Sequence, residues 1–196
     1  MNKQKSEIKI AAVIGSVRPG NMTSKVLSLV LEELKQYKSV SVDVIDPAKM
    51  HLSFPGEKSE GSADRIQKIV SGATGVILAT PEYHGSYSST IKLVIDNLGF
   101  PSVLGGKPVA LLGVASGQIG AIKALEHLRS VCSHVGSLVL PGPVSVAGVH
   151  QLFDEQGNCK DEQTEKRIRS LAKNLVVYIQ KHICPLAALE EIVREK

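Results

Sequence analysis

Three short segments combine residue types able to do chemistry. The first is Gly15-Ser16-Val17-Arg18-Pro19-Gly20-Asn21-Met22-Thr23-Ser24. Hydroxyls at Ser16, Thr23 and Ser24 and the planar guanidinium of Arg18 stand where the helical pattern begins, near Met22. A helix N-terminus offers free N–H groups and a partial positive charge, and Arg presents a fork matched to phosphate oxygens. The chemistry this suits is anchoring an anion, a phosphate above all. The same residues also suit a plain turn and helix cap, since Asn, Ser and Thr are favoured there. The second segment is Pro81-Glu82-Tyr83-His84-Gly85-Ser86-Tyr87. Glu82 follows a proline at a strand end, where a carboxylate has no partner within the strand. Tyr83 brings an amphipathic ring, and Gly85 lets backbone approach a flat ligand closely. Alone, this segment reads as an ordinary strand-to-helix turn; beside the first, it reads as a loop that lies along a ring. The third segment, Ser116-Gly117-Gln118-Ile119-Gly120, is small and polar.

Other chemistries fail on spacing. Gly15 and Gly20 match the first half of G-x-x-x-x-G-K-[ST], but Asn21 and Met22 follow and the lysine is missing. Val17 and Asn21 break every register of G-x-G-x-x-G. No G-x-S-x-G elbow surrounds Ser86 or Ser116. Asp46 stands where a ribose-binding acid would sit, but without the glycines it reads as a strand-ending residue. Cys132, Cys159 and Cys184 are odd in number, widely spaced and free of any C-x-x-C, so neither a zinc site nor a disulfide framework is expected. A reducing cytoplasm suits such cysteine usage.

The elements that must position these segments alternate along the chain. Short runs rich in β-branched residues (Ile8 to Ile14, Val40 to Val44, Gly75 to Thr80, Pro108 to Ala115, Ser137 to Val146) read as strands. The last is interrupted by Pro141, Gly142 and Pro143. Helical stripes lie between them: Met22 to Tyr37, Ser62 to Ser71, one through Ile91, Val94, Ile95 and Leu98, then Ala121 to Val135. Glu162 to Ile183 follows, with Pro185 expected to break it before a short helix from Leu186 to Arg194. Asp46 to Gly61 reads as a loop. Strands alternating with helices imply a parallel sheet covered on both faces. Five strands fit a flavodoxin-like three-layer α/β sandwich in the order 2-1-3-4-5, with ligands beyond the carboxyl ends of the strands. All three polar segments leave the sheet at that rim.

The 196 residues are expected to form one domain over 1–196. With 43% hydrophobic and 21% charged residues, global disorder is excluded. The net charge of +4 comes from scattered Lys and Arg, and aromatic residues are only 4%, so nucleic-acid binding is not expected. No apolar run reaches the ~20 residues of a membrane span.

Gly15-Ser16-Val17-Arg18, then Pro81-Glu82-Tyr83-His84-Gly85-Ser86, then Lys92 and Asp96, then Gly106-Lys107-Pro108-Val109 together resemble the NADPH-dependent FMN reductase family of flavodoxin-like quinone, azo-dye and chromate reductases. The resemblance runs from about Ile8 to Ile179. It implies that Ser16 and Arg18 hold the FMN phosphate, with Asn21, Met22, Thr23 and Ser24 completing that loop. It implies that Pro81, Glu82, Tyr83, His84, Gly85 and Ser86 lie along the isoalloxazine, and that Ser116 and Gly117 approach its pyrimidine end. The implied activity passes a hydride from NADPH, or NADH, through FMN to a small acceptor such as a quinone, an azo compound, chromate or free flavin. No side chain is required as a catalyst, and a homodimer or homotetramer is implied. The alternatives are a flavodoxin-type electron carrier and an FMN-binding interaction protein without turnover of its own. The family commonly has Asn where His84 stands, and it differs at Ser88-Ser89 and Asn97. For His84 the backbone amide is expected to matter more than the imidazole.

Overall fold

Each β-branched run is followed by a crossover helix, and chain segments joined that way pair in parallel. In the computed structural model, which describes residues 7–58 and 61–194, strands β1 (Ile8–Ile14), β3 (Gly75–Tyr83) and β5 (Pro108–Val114) form the centre of the sheet and β2 (Val40–Ile45) one edge. The order is β2-β1-β3-β5, then β6 (Leu138–Val139), with parallel registers such as Ile8↔Val40, Ile10↔Gly75 and Val76↔Val109. The expected fifth strand is split: β6 (Leu138–Val139) and β7 (Val144–Val146) each run parallel to β5. Between them, Pro141 and Pro143 supply no N–H to a ladder, and Gly142 takes φ 74°. Counting the split pair as one strand, the order is the expected 2-1-3-4-5.

The pleat sorts side chains to two cores. Ala12, Ile77 and Ala79 face helices α1 (Met22–Leu34) and α5 (Glu162–Tyr178). Ala11, Val13, Val76 and Leu78 face α2 (Ser62–Gly72), α3 (Ser89–Asp96) and α4 (Ile122–His134). Both faces of β1, β3 and β5 are therefore dry, and only the strand ends are free to meet a ligand.

Two expectations need correction. Pro185 does not break the long helix. A wider π-turn over Ile179–Ile183 intervenes, with the Cys184 N–H bonding to Ile179 O, and helix α6 (Cys184–Arg194) continues from it. The wider turn relieves the clash of a proline ring with the carbonyl four residues back. Pro81–Tyr87 is not an open loop either: β3 runs on to Tyr83 and pairs antiparallel with β4 (Ser86–Tyr87). The expected loop over 46–61 includes residues 59 and 60, and the expected domain over 1–196 includes 1–6, 195 and 196, all outside the described residues. Among the described residues, no helix is long and apolar enough to cross a membrane.

Candidate functional site: a cleft at the carboxyl rim of the sheet

The first segment is anchored by its glycine. Gly15 N–H donates to Ala79 O at 2.7 Å, and a Cβ on Gly15 would stand 2.4 Å from that same oxygen and 2.5 Å from Ile91. Only glycine lets the chain leave β1 this close to β3 and α3. Ser88 then bolts the first segment to the second. Its buried hydroxyl donates to Gly15 O at 2.6 Å and accepts from Ile91 N–H at 3.1 Å, which caps α3. Its own N–H donates to Thr80 Oγ1 at 3.0 Å.

Asn21 is the N-cap of α1. Its Oδ1 accepts from Ser24 N–H at 2.8 Å and from Ser24 Oγ at 2.9 Å, and its Nδ2 donates to Arg18 O at 2.9 Å. Ser24 is thereby occupied in capping. The N–H groups of Met22 and Thr23, in the first turn, have no acceptor within the helix. Arg18 makes no ion pair among the described residues; its guanidinium lies 5.0 Å from the centre of the Tyr83 ring.

The second segment is a hairpin whose turn is His84-Gly85, at φ 50° and 77°. Positive φ at both central residues marks a type I′ turn, where Asn-Gly is the favoured pair and His costs more. Glu82 has a partner after all, because its Oε1 accepts from Gly85 N–H and closes the turn. Ser86 Oγ lies 3.0 Å from His127 Nδ1 on α4.

The third segment meets the turn that follows β7. Ser116 Oγ lies 3.0 Å from Nε2 of His150. Gly148 N–H donates to Gly117 O at 3.1 Å, and Val149 N–H to Ala115 O at 3.1 Å.

Together these segments enclose a cleft of about 280 Å³. Of the residues expected at a site, Ser16, Arg18, Asn21, Met22, Thr23, Pro81, Glu82, Tyr83 and Ser116 line it. Ser24, His84, Gly85, Ser86 and Gly117 do not line it; they hold the lining residues in place through the contacts above. Sequence reasoning missed Pro19, Gly20, Val114, Val149 and His150, which also line it. A signal for the last two existed: in a parallel sheet the segment after the fifth strand leaves at the same rim as the other three. A second hollow, of about 200 Å³, lies between Ser53–Glu57 and the end of α3. Its amides are already engaged, Asn97 Nδ2 with Ser53 O and Gln67 Nε2 with Asn97 O, each at 2.9 Å.

A parallel sheet in this order, with a cleft across its carboxyl rim, defines a flavodoxin-like α/β protein. Residues 8–151 match the NADPH-dependent FMN reductase family, and the chain belongs to it. It is 28% identical over 179 residues to a 2-hydroxy-1,4-benzoquinone reductase of Burkholderia sp, covering 88% of this chain and 97% of that one. It is 33% identical over 129 residues to an NADPH azoreductase of Bacillus sp. (strain OY1-2), covering 64% of this chain and 70% of that one. Among solved structures it resembles FerB, a flavoenzyme NAD(P)H:(acceptor) oxidoreductase from Paracoccus denitrificans. That likeness has a TM-score of 0.77 at 24% identity, over 89% of this chain and 98% of that one, and it establishes shared fold.

Proposed function

We propose that the cleft holds FMN and that the protein transfers reducing equivalents from NADPH, or NADH, to a small acceptor such as a quinone or azo compound; chromate and free flavin are further acceptors of the same class. The observation that carries this reading is that one cleft is lined both by Arg18, which makes no ion pair among the described residues, and by Met22 and Thr23, whose first-turn N–H groups have no acceptor within the helix. That donor set fits a phosphate monoester: N–H groups, the Ser16 hydroxyl and one planar cation, with no carboxylate among the residues from Ser16 to Ser24.

When bound, FMN supplies a two-electron relay between nicotinamide and acceptor, chemistry that belongs to the cofactor. The chain's contribution is binding and surroundings. Ser16, Arg18, Met22 and Thr23 hold the phosphate, while Asn21 and Ser24 keep the helix end in place. Pro81, Glu82 and Tyr83 form the wall along the ring system, and the His84-Gly85-Ser86 turn fixes that wall's shape. Ser116 and Gly117 bound the far end. No side chain acts as a nucleophile, so donor and acceptor take turns at the open face. The relatives named as a benzoquinone reductase and an azoreductase support a planar, electron-poor acceptor. The protein acts as a single domain in the cytoplasm, as a homodimer or homotetramer, without nucleic acid.

Reconstitution with FMN, desalting and anaerobic addition of NADPH test the reading. Flavin absorbance should survive desalting, bleach with NADPH and return on adding a benzoquinone. Arg18→Ala should weaken FMN binding by roughly 10- to 100-fold, the equivalent of one charge-assisted hydrogen bond. A colourless desalted protein would refute FMN binding. Flavin that NADPH and NADH both fail to bleach would indicate a carrier or an interaction protein instead.

A further inference from the structure

Arg18 and Tyr83 are far apart in the chain, yet the fold sets the guanidinium of the first over the ring of the second, 5.0 Å from its centre. Both residues line the cleft. Arg18 is the only cationic residue from Ser16 to Ser24. Its backbone is pinned on both sides: the N–H donates to Ser16 Oγ at 3.4 Å, and the carbonyl accepts from Asn21 Nδ2 at 2.9 Å. Pro19 follows and confines the Arg18 backbone to extended conformations. The side chain is the part still free to move, and an exposed arginine has many rotamers to lose on binding.

Tyr83 is firmly placed from the other side. Its backbone pairs with Ser86 in the β3–β4 hairpin. The neighbouring carboxylate does not compete for Arg18: Glu82 accepts from Gly85 N–H, and among the described residues Arg18 makes no ion pair. That difference matters. A carboxylate would occupy the N–H donors of the guanidinium, whereas an aromatic face attracts the charge and leaves those donors available.

We propose that Tyr83 is the positioning residue for Arg18: its ring holds the guanidinium in place before the ligand arrives, and so raises the preference of the cleft for a phosphorylated flavin over the unphosphorylated one. This rests on the FMN reading above and deepens it. Fixing the arginine side chain during folding removes that ordering cost from the binding step. The attraction of a cation to an exposed aromatic face is modest, worth roughly two- to fivefold in a binding constant. Tyr83 has a second duty in the FMN reading, as part of the wall along the ring system. That duty serves FMN and riboflavin alike, because the two differ only in the phosphate. The ratio of their affinities therefore isolates what Tyr83 does through Arg18.

The test is the affinity of the wild type, Tyr83→Leu, Tyr83→Thr and Tyr83→Phe for FMN and for riboflavin, read by flavin fluorescence, with Tyr83→Leu repeated in an Arg18→Ala background. Tyr83→Leu and Tyr83→Thr should each lower the FMN-to-riboflavin ratio by roughly two- to fivefold, and Tyr83→Phe, which keeps the aromatic face, should hold it at the wild-type value. Threonine suits a strand end and covers the case in which leucine impairs folding. Without Arg18, removing the ring should leave the ratio unchanged. In the Arg18-containing protein, an unchanged or rising ratio in both the leucine and threonine variants would overturn the role of Tyr83 and leave the FMN reading intact. So would a ratio that falls as far without Arg18 as with it. A wild type that does not bind FMN would overturn both.

Discussion

Replacing Ser88 with alanine should loosen the whole rim of the sheet, although Ser88 does not line the cleft. Its hydroxyl makes two bonds at once, to the buried Gly15 carbonyl at 2.6 Å and from the Ile91 N–H at 3.1 Å. Losing the cap of α3 costs about 1 kcal/mol. Leaving the Gly15 carbonyl buried without a partner costs a further ~1–3 kcal/mol. The sum, about 2–4 kcal/mol, should lower the urea midpoint by roughly 1–2 M at an m-value near 2 kcal/mol/M. The matched control is Ser28→Ala. That hydroxyl also donates to a backbone carbonyl, of Lys25 at 2.7 Å, but on an exposed face of α1, so its removal should stay within about 0.5 kcal/mol. Equilibrium unfolding of the three proteins, followed by far-UV circular dichroism, decides the matter. A Ser88→Ala midpoint no lower than that of Ser28→Ala would refute the claim that this hydroxyl bolts the two segments together. FMN retention should fall in Ser88→Ala as well, because Gly15 leads directly into the segment proposed to hold the phosphate.

Gly15→Ala should be worse for space than for conformation. Its Cβ would meet backbone at 2.4 Å, so a loss of about 3 kcal/mol in chemical denaturation is expected. At His84, with φ 50°, Asn should be neutral or slightly stabilising, whereas Val should cost about 1 kcal/mol. Quinone turnover by His84→Asn equal to wild type would confirm that the imidazole is dispensable, and a large loss would contradict it. Burial pushes the Cys132 thiol up to about 12 from its ordinary value of 9.0. It should resist iodoacetamide at pH 8 in the native protein and react on unfolding, as mass spectrometry of labelled peptides can show. The same shift has a sign in stability: between about pH 9 and 12 the unfolded thiol has lost its proton while the native one keeps it. Stability should therefore fall as pH rises through that window, and Cys132→Val should flatten the slope.

What was legible in the sequence was what repeats locally. The run Gly75 to Thr80 is apolar at every position, and that alone requires cover on both faces and a parallel neighbour. The helix start at Met22 was legible because Asn21 caps it by a contact only three residues long. Pro141-Gly142-Pro143 marked a break in the fifth strand because proline cannot donate to a ladder. The effect of Pro185 was misjudged, since a helix can widen by one residue where packing holds both sides.

Contacts between distant residues stayed hidden, and they decide the site. Ser88 reaches Gly15 across 73 residues, and Ser116 meets His150 across 34. Neither pair has a spacing that means anything along the chain. Glu82, His84 and Gly85 lie side by side in sequence, yet their roles depend on β3 pairing with β4, which a reading of isolated residues does not contain. The amino-acid order alone therefore determined the layers, the strand order and the rim where a ligand must sit, because hydrophobic period and turn chemistry are properties of neighbouring residues. Which side chains are free to meet that ligand, and which are consumed in holding the rim together, was decided by the tertiary structure. A hydrogen-bonding group has a limited number of partners, and only packing brings the competitors within reach.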